Sequence, residues 1–169
     1  MDHSKETMSR EQCVQDVRRL AARTALLYHY FVDTLVEHVG EDQAKTLTAE
    51  AIRRYGEHIG KTVRQRAAEM GLTNDVEHFG KVDDLPSVGW EGTDVETERG
   101  PRSRVTVCPL AGVWKELDAE AWGRLYCYVD QAKYKAFNPH AQLIHTRNML
   151  DGDPYCEFDI RLDGDADPD

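Results

Sequence analysis

The sequence predicts an α+β fold, an N-terminal antiparallel helical hairpin packed with a four-stranded antiparallel β-β-α-β-β unit. Three observations carry it. Two long stretches of helical apolar spacing, split by Gly40, fill residues 11–70. Four short segments after residue 92 alternate with a period of two. One amphipathic stretch, Ala119 to Ala136, separates those segments into two pairs.

The first helix is expected from Glu11 to Val39, with Val14, Val17, Ala21, Tyr28, Phe31 and Leu35 in its apolar series. Ser9 and Gln12 form a capping box before it, and Gly40 is a natural stop. The second helix follows at once, Glu41 to Met70, and ends at Gly71. So short a connection makes the two an antiparallel pair. Gly56 and Gly60 lie inside the second helix, where each costs about 1 kcal/mol relative to alanine. Four residues apart, they share one face and let another element approach closely. A short helix is expected within 74–81, then a loop at Leu85-Pro86.

Thr93 to Arg99 and Arg102 to Val107 read as a hairpin turned at Gly100-Pro101, and Cys108-Pro109 closes the second strand. The third long helix runs from Ala119 to Ala136 and stops before Asn138-Pro139. Strands Gln142 to Met149 and Pro154 to Leu162, joined at Asp151-Gly152, complete the sheet. The boundaries that follow are a flexible N-terminus at 1–9, one domain over 10–162 and a disordered acidic tail at 163–169.

Charge narrows the partners. Residues 1–71 carry 11 acids and 11 bases, so the net charge of −10 arises entirely after residue 71. Half of it sits between Glu157 and Asp169, with six acids against one arginine. Such a surface repels phosphate backbones, which argues against nucleic acid as a partner. The tail LDGDADPD lacks the bidentate glutamate and following helix of a calcium loop. No apolar run approaches the ~20 residues that span a bilayer. The polar first ten residues read as neither signal nor transit peptide, so a cytoplasmic location with no membrane partner is expected. Four scattered cysteines (Cys13, Cys108, Cys127, Cys156) are expected as free thiols. No paired CxxC or HxxxH spacing suggests zinc, and neither metal nor cofactor is expected.

The third long helix carries the candidate chemistry. At about 100° per residue, Trp122, Leu125, Val129, Ala132 and Ala136 form its core face, and Arg124, Tyr128, Gln131 and Lys135 a solvated one. Between them lie Gly123, Cys127, Asp130 and Tyr134. A thiol and a carboxylate three residues apart thus share one face. The carboxylate raises the thiol pKa, so Asp130 suits a proton acceptor for Cys127 or a partner for a cationic substrate. On the later strands His145 and Arg147 alternate in phase, Asp153 follows the turn, and Cys156 is in phase with Phe158 and Ile160. A histidine or cysteine at such positions also serves packing alone.

The ordered segments CPL (Cys108 to Leu110), YCYVD (Tyr126 to Asp130), FNP (Phe137 to Pro139) and GDPYCEF (Gly152 to Phe158), with YG..IG upstream, resemble the L-2-amino-thiazoline-4-carboxylic acid hydrolase family. The resemblance implies hydrolytic opening of a small five-membered heterocycle at an amidine-like carbon. The cysteine–x–x–aspartate helix with a later strand cysteine is also similar to alkylmercury lyases, at a much shorter interval between the two cysteines.

The expectation is therefore a small cofactor-free hydrolase that opens a thiazoline or cyclic amidine-like ring at its C=N/C–S carbon. Cys127 attacks or orients water, Asp130 takes the proton, and Cys156 and His145 complete the catalytic candidates. Tyr134, Asn138, Arg147 and Asp153 are the substrate-binding candidates, with His145 or Arg147 holding a carboxylate. The competing class is a non-catalytic small-ligand-binding or accessory protein. It is told apart by thiol state, since a catalytic Cys127 is expected to be accessible and the most reactive of the four. Leu20 and Leu27 on the first helix and Ile52 on the second, outside the main stripe, leave a homodimer open.

Overall fold

A computed structural model describes residues 7–82, 84–86, 88–98 and 100–164. Of the expected flexible N-terminus, residues 1–6 lie outside the described residues, and so do residues 165–169 of the acidic tail. Helix α1 spans Arg10–Val39 and α2 spans Glu41–Glu69. The Ser9–Gln12 capping box is formed in both directions: the Gln12 N–H donates to Ser9 Oγ at 3.1 Å and the Ser9 N–H to Gln12 Oε1 at 2.9 Å. Gly40 turns the chain with φ +80°, a backbone that side chains rarely adopt.

The two helices turn back at Gly40 and open to admit the rest of the chain. Tyr126 is met from one arm by Tyr28 at 5.2 Å and from the other by Tyr55 at 6.5 Å, centroid to centroid. The main packing partner of α2 is the later helix α6 (Tyr128–Phe137), and that of α1 is α4 (Pro109–Glu116). Gly56 and Gly60 explain the first contact. A Cβ on Gly56 would lie 2.6 Å from the Val129 carbonyl oxygen, and one on Gly60 would lie 2.2 Å from that of Lys133. The glycines thus serve close backbone packing of α2 on α6.

After the short helix α3 (Val76–Phe79) come β1 (Glu91–Thr97) and β2 (Gly100–Val107). The expected end of β1, Arg99, lies outside the described residues. With β3 (Ala141–Arg147) and β4 (Cys156–Leu162) they form one antiparallel sheet in the order β1-β2-β4-β3. β2 meets β4 in the register Val105–Cys156 and Ser103–Phe158, joining the two hairpins.

Between the strand pairs there are three helices where the periodicity led us to expect one. Helix α4 follows Cys108, with Pro109 preset for the first helical position and Leu110, Ala111, Val113, Trp114 and Leu117 at helical spacing. The stretch expected as one helix is divided at Cys127 into α5 (Glu120–Tyr126) and α6. There the Cys127 carbonyl accepts from the Asp130 N–H at 3.3 Å, a turn one residue tighter than the α-helix. The core around these helices centres on Trp114, whose side chain is fully buried and whose indole N–H donates to the Ala25 carbonyl at 3.2 Å. A second cluster joins Val63, Ala67, Phe79, Val82 and Phe137. Among the described residues, no helix is long and apolar enough to cross a membrane.

Candidate active site

Four catalytic candidates converge. Cys127 and Asp130 from the α5–α6 junction, His145 from β3 and Cys156 from β4 all line one cavity of about 420 Å³. Cys108, at the end of β2, lines it as a third thiol, and all four cysteines are free. The other walls are largely apolar and aromatic, including Trp90, Trp114, Tyr126 and Phe158. Tyr55 and Leu85 line the cavity and are 47% and 56% exposed, which marks its mouth.

The electrostatics follow from that setting. Burial, helped by the Asp130 carboxylate and the two neighbouring thiols, pushes the Cys127 thiol up to about 12. The Asn148 side chain acts in the opposite sense on Cys127. Burial likewise raises Cys108 and Cys156. The site therefore holds neutral thiols at neutral pH, and Cys127, raised by burial, is not the accessible and most reactive thiol that the sequence leads one to expect of a catalytic cysteine. A position at the start of α6 favours a thiolate through the helix dipole, but desolvation outweighs it here.

Asp130 is the charged centre. Its Oδ1 lies 3.1 Å from Lys133 Nζ, and its Oδ2 lies 3.8 Å from His145 Nε2. Lys133 is buried, 6% exposed, and its ammonium is shared with Asp84 at 2.7 Å. These two carboxylates hold it protonated against its burial. Burial moves His145 the other way, lowering its pKa, so the imidazole beside Asp130 is neutral at pH 7. At 3.8 Å, Nε2 stands near the carboxylate but beyond hydrogen-bond distance. Among the described residues, Thr48 Oγ1, Arg124 Nη1, His145 Nδ1 and Asn148 Nδ2 are buried without a hydrogen-bond partner, and of these residues His145 and Asn148 line the cavity. Asn148 is otherwise a turn residue, its Oδ1 accepting from the Leu150 N–H at 2.9 Å. Buried polar atoms left unpaired are costly, and here both residues border a cavity.

The four substrate-binding candidates are not in that cavity. Tyr134 lines an adjoining groove that shares the Asp130–Lys133 wall, and it stacks on Phe79 at 4.3 Å. Asn138 caps the end of α6, its side chain accepting from the His140 N–H at 2.9 Å. Arg147 does not share a face with His145. The register shifts between them, so that His145 pairs with Phe158 and Arg147 with Glu157, which point to opposite sides of β4. Arg147 instead bonds Asp153 at 3.1 Å. Asp153 also accepts from the Asn148 N–H at 2.9 Å, fixing the turn. Arg124, expected in solvent, is largely covered, bonded to Asp151 at 2.9 Å and set over the Tyr128 ring.

Lys133 and Asn148 are the site residues that spacing did not flag. Lys133 carried a signal, since it follows Asp130 by three residues and Val129 by four, on the side that Gly56 and Gly60 approach. Asn148 carried none. Among the described residues, no group of three histidine, cysteine, aspartate or glutamate side chains is arranged to hold a metal ion.

No curated protein matches the sequence. The model of one family, L-2-amino-thiazoline-4-carboxylic acid hydrolase, matches residues 18–160 and so covers every cavity residue named above. The chain belongs to that family.

Proposed function

We propose that this member of the family is a small hydrolase that opens a thiazoline or related cyclic amidine at its C=N carbon, with Cys127 as nucleophile. One observation carries the reading. Cys127 and Asp130 border the same cavity as two groups, Asn148 Nδ2 and His145 Nδ1, whose hydrogen-bonding capacity is unfilled.

Magnitudes decide how the thiol acts. At pH 7 a thiol with a pKa of about 12 is ionised only about once in 10⁵, which corresponds to about 7 kcal/mol. A standing thiolate is therefore excluded as the resting nucleophile. A protonated cyclic amidine lowers that cost, because its positive charge beside Cys127 offsets Asp130 and favours the thiolate, although burial, the larger cause, remains. Substrate binding and nucleophile activation are thus coupled.

For a 2-aminothiazoline the steps balance as follows. The Cys127 Sγ–carbon bond forms as the thiol proton passes to Asp130, and the C=N π pair moves onto the protonated ring nitrogen. The ring C–S bond then breaks, its electron pair leaving with the ring sulfur, which takes the proton from Asp130. Water adds to the resulting enzyme-bound isothiouronium, the Sγ–carbon bond breaks, one proton of the water returns to Sγ, and the proton the amidinium brought leaves to solvent. The product is an open-chain urea with a free thiol, and one water is consumed. His145 stands beside Asp130 at 3.8 Å, and Asn148, whose side chain favours the Cys127 thiolate, would donate to charge developing on Cys127.

The test is turnover of a panel of thiazolines and cyclic amidines by the wild type and by Cys127→Ser and Cys156→Ser, with circular dichroism to confirm folding. Turnover by the wild type and a roughly 10³-fold loss in Cys127→Ser alone is the expected result. A folded Cys127→Ser variant with full activity moves the nucleophile elsewhere. A wild type inert on the whole panel favours a ligand-binding protein.

A further inference from the structure

Helix α1 presents two apolar faces, where a helix on the surface of a domain needs one. Ala21, Ala25, Tyr28 and Val32 face the core. Leu20, Leu27, Tyr30 and Phe31 do not, and each is between 60% and 66% exposed. At about 100° per residue, Leu20, Leu27 and Phe31 fall within a sector of roughly 40°, with Tyr30 at its edge. Single exposed leucines are ordinary on a protein surface, but a contiguous apolar stripe marks a contact site. Ile52 on α2 is buried and takes no part in it.

The charges beside the stripe point to what covers it. Arg19 and Arg23 flank it in the N-terminal half of α1, Asp33 and Glu37 in the C-terminal half, and all four are exposed. By the same helical geometry all four lie on one side of the stripe. Two copies of a helix packed face to face about a two-fold axis across them run antiparallel, and like sides meet. That arrangement sets Arg19 and Arg23 of each chain beside the acids Asp33 and Glu37 of the other. A parallel pair would instead set arginine on arginine and acid on acid. Residues 1–71 are also balanced, 11 acids against 11 bases, while the rest of the chain carries the net charge of −10. Two copies of this acidic chain therefore meet with least repulsion along α1. An anionic membrane surface would call for basic residues along the whole stripe, and its C-terminal half is acidic.

On its other side the stripe borders the cavity. Thr24 is exposed and lines the cavity together with Ala21. It precedes Leu27 by three residues and Phe31 follows Leu27 by four, both on that side. An antiparallel crossing centred at Leu27 thus carries the partner's Phe31 to Thr24. We propose that the protein is a two-fold dimer in which α1 packs antiparallel on α1 of a second copy, with the partner's Phe31 over the rim of the cavity at Thr24. Such a dimer does not depend on which bond is broken in the cavity.

Sedimentation velocity reads the assembly directly. The wild type is expected to run as a dimer at about 10 μM. Leu27→Glu combined with Phe31→Glu is expected to run as a monomer with an unchanged circular dichroism spectrum, since both positions are exposed. Arg19→Glu with Arg23→Glu is expected to weaken the dimer at least about tenfold, and adding Asp33→Arg with Glu37→Arg to restore it. Mild oxidation of a chain carrying Thr24→Cys and Phe31→Cys is expected to give a covalent dimer that neither single variant gives. A wild type that stays monomeric at about 100 μM overturns the proposal, and if that monomer floats with phosphatidylglycerol vesicles the stripe belongs to a membrane surface. A dimer indifferent to the arginine reversals overturns the antiparallel packing. One that fails to cross-link overturns the placement of Phe31 at the cavity.

Discussion

The two faces of the sheet use polar residues in opposite ways. On the face turned from α6, charges are matched. Arg102 and Arg161 both hold Asp159, the latter at 2.9 Å, and Arg104 holds Glu157 at 2.7 Å. Thr146 adds a hydrogen bond to Glu157 at 2.9 Å, and the Tyr155 ring lies 4.6 Å from the Arg104 guanidinium. On the face turned towards α6, His145 and Cys156 stand among Val105, Leu143 and Phe158, and polar capacity is left over at His145 Nδ1 and Asn148 Nδ2. The same strands carry both patterns on alternate residues. Matched polar groups belong to folding, whereas unmatched ones beside a cavity are groups that a ligand can satisfy.

The contrast is sharpest in activity. Cys127→Ser, Asp130→Asn and the double variant are each expected to lose roughly 10³-fold in kcat/KM, with the double no worse than the worse single, because a proton acceptor without its donor contributes nothing. Melting temperatures of all three are expected to stay within a few degrees of the wild type. Additive losses in the double variant would separate the two residues into independent roles.

Titration is the next largest effect, and it too belongs to the cavity side. Unfolded, the Cys127 thiol ionises near 9, and folded it ionises near 12. Between those values the unfolded chain has released a proton that the folded one still binds, so stability falls as pH rises. The loss from Cys127 alone is on the order of 4 kcal/mol, with Cys108 and Cys156 acting in the same direction. Cys127→Ser is expected to flatten the fall in denaturant midpoint between pH 9 and 11. In acid His145 opposes folding, because its folded pKa is depressed and the unfolded chain protonates first as pH drops below about 6.5. A thiol that ionises before the others on alkaline titration would contradict this setting for Cys127.

The outer face gives the converse result. Asp159 has a side chain only 5% exposed and two arginine partners. Asp159→Ala leaves Arg102 buried without its counter-ion and is expected to cost about 3 kcal/mol of stability. Turnover measured below the lowered melting point should be unchanged. A variant equally stable but slow would place this face in the chemistry.

The smallest effect is expected at Arg147. Half exposed and on the outer face, it pairs with Asp153 at 3.1 Å. Arg147→Gln should alter stability by no more than about 0.5 kcal/mol and leave kcat/KM within about twofold. A tenfold rise in KM would bring Arg147 back to the substrate and break the division between the faces.

Much of this division was legible before folding. Helical spacing located α1 and α2 within a residue or so at each end, because a long apolar stripe and a cap are local properties. The i, i+3 relation of Cys127 and Asp130 likewise put both on one cavity wall. Spacing does not announce helix α4, because Cys108-Pro109 reads equally as the end of a strand and as the opening of a helix. The in-phase reading of His145 and Arg147 failed for a different reason. One residue of bulge reverses every later side chain, and alternation alone does not register it.

By itself, then, the sequence determined the two long helices, the four strands and their order along the chain, the acidic balance and the family. Each depends on neighbours within a few residues or on segments matched in order. The tertiary structure alone decided that Lys133 is buried between Asp84 and Asp130, that Cys108 joins Cys127 and Cys156, and that Asn148 is left a donor without an acceptor. Those outcomes depend on which faces meet when α2 closes on α6 and β2 pairs with β4. The physical reason is that desolvation and pairing are set by atoms distant in the chain, so the ionisation of a thiol or an ammonium is not a property of its own segment.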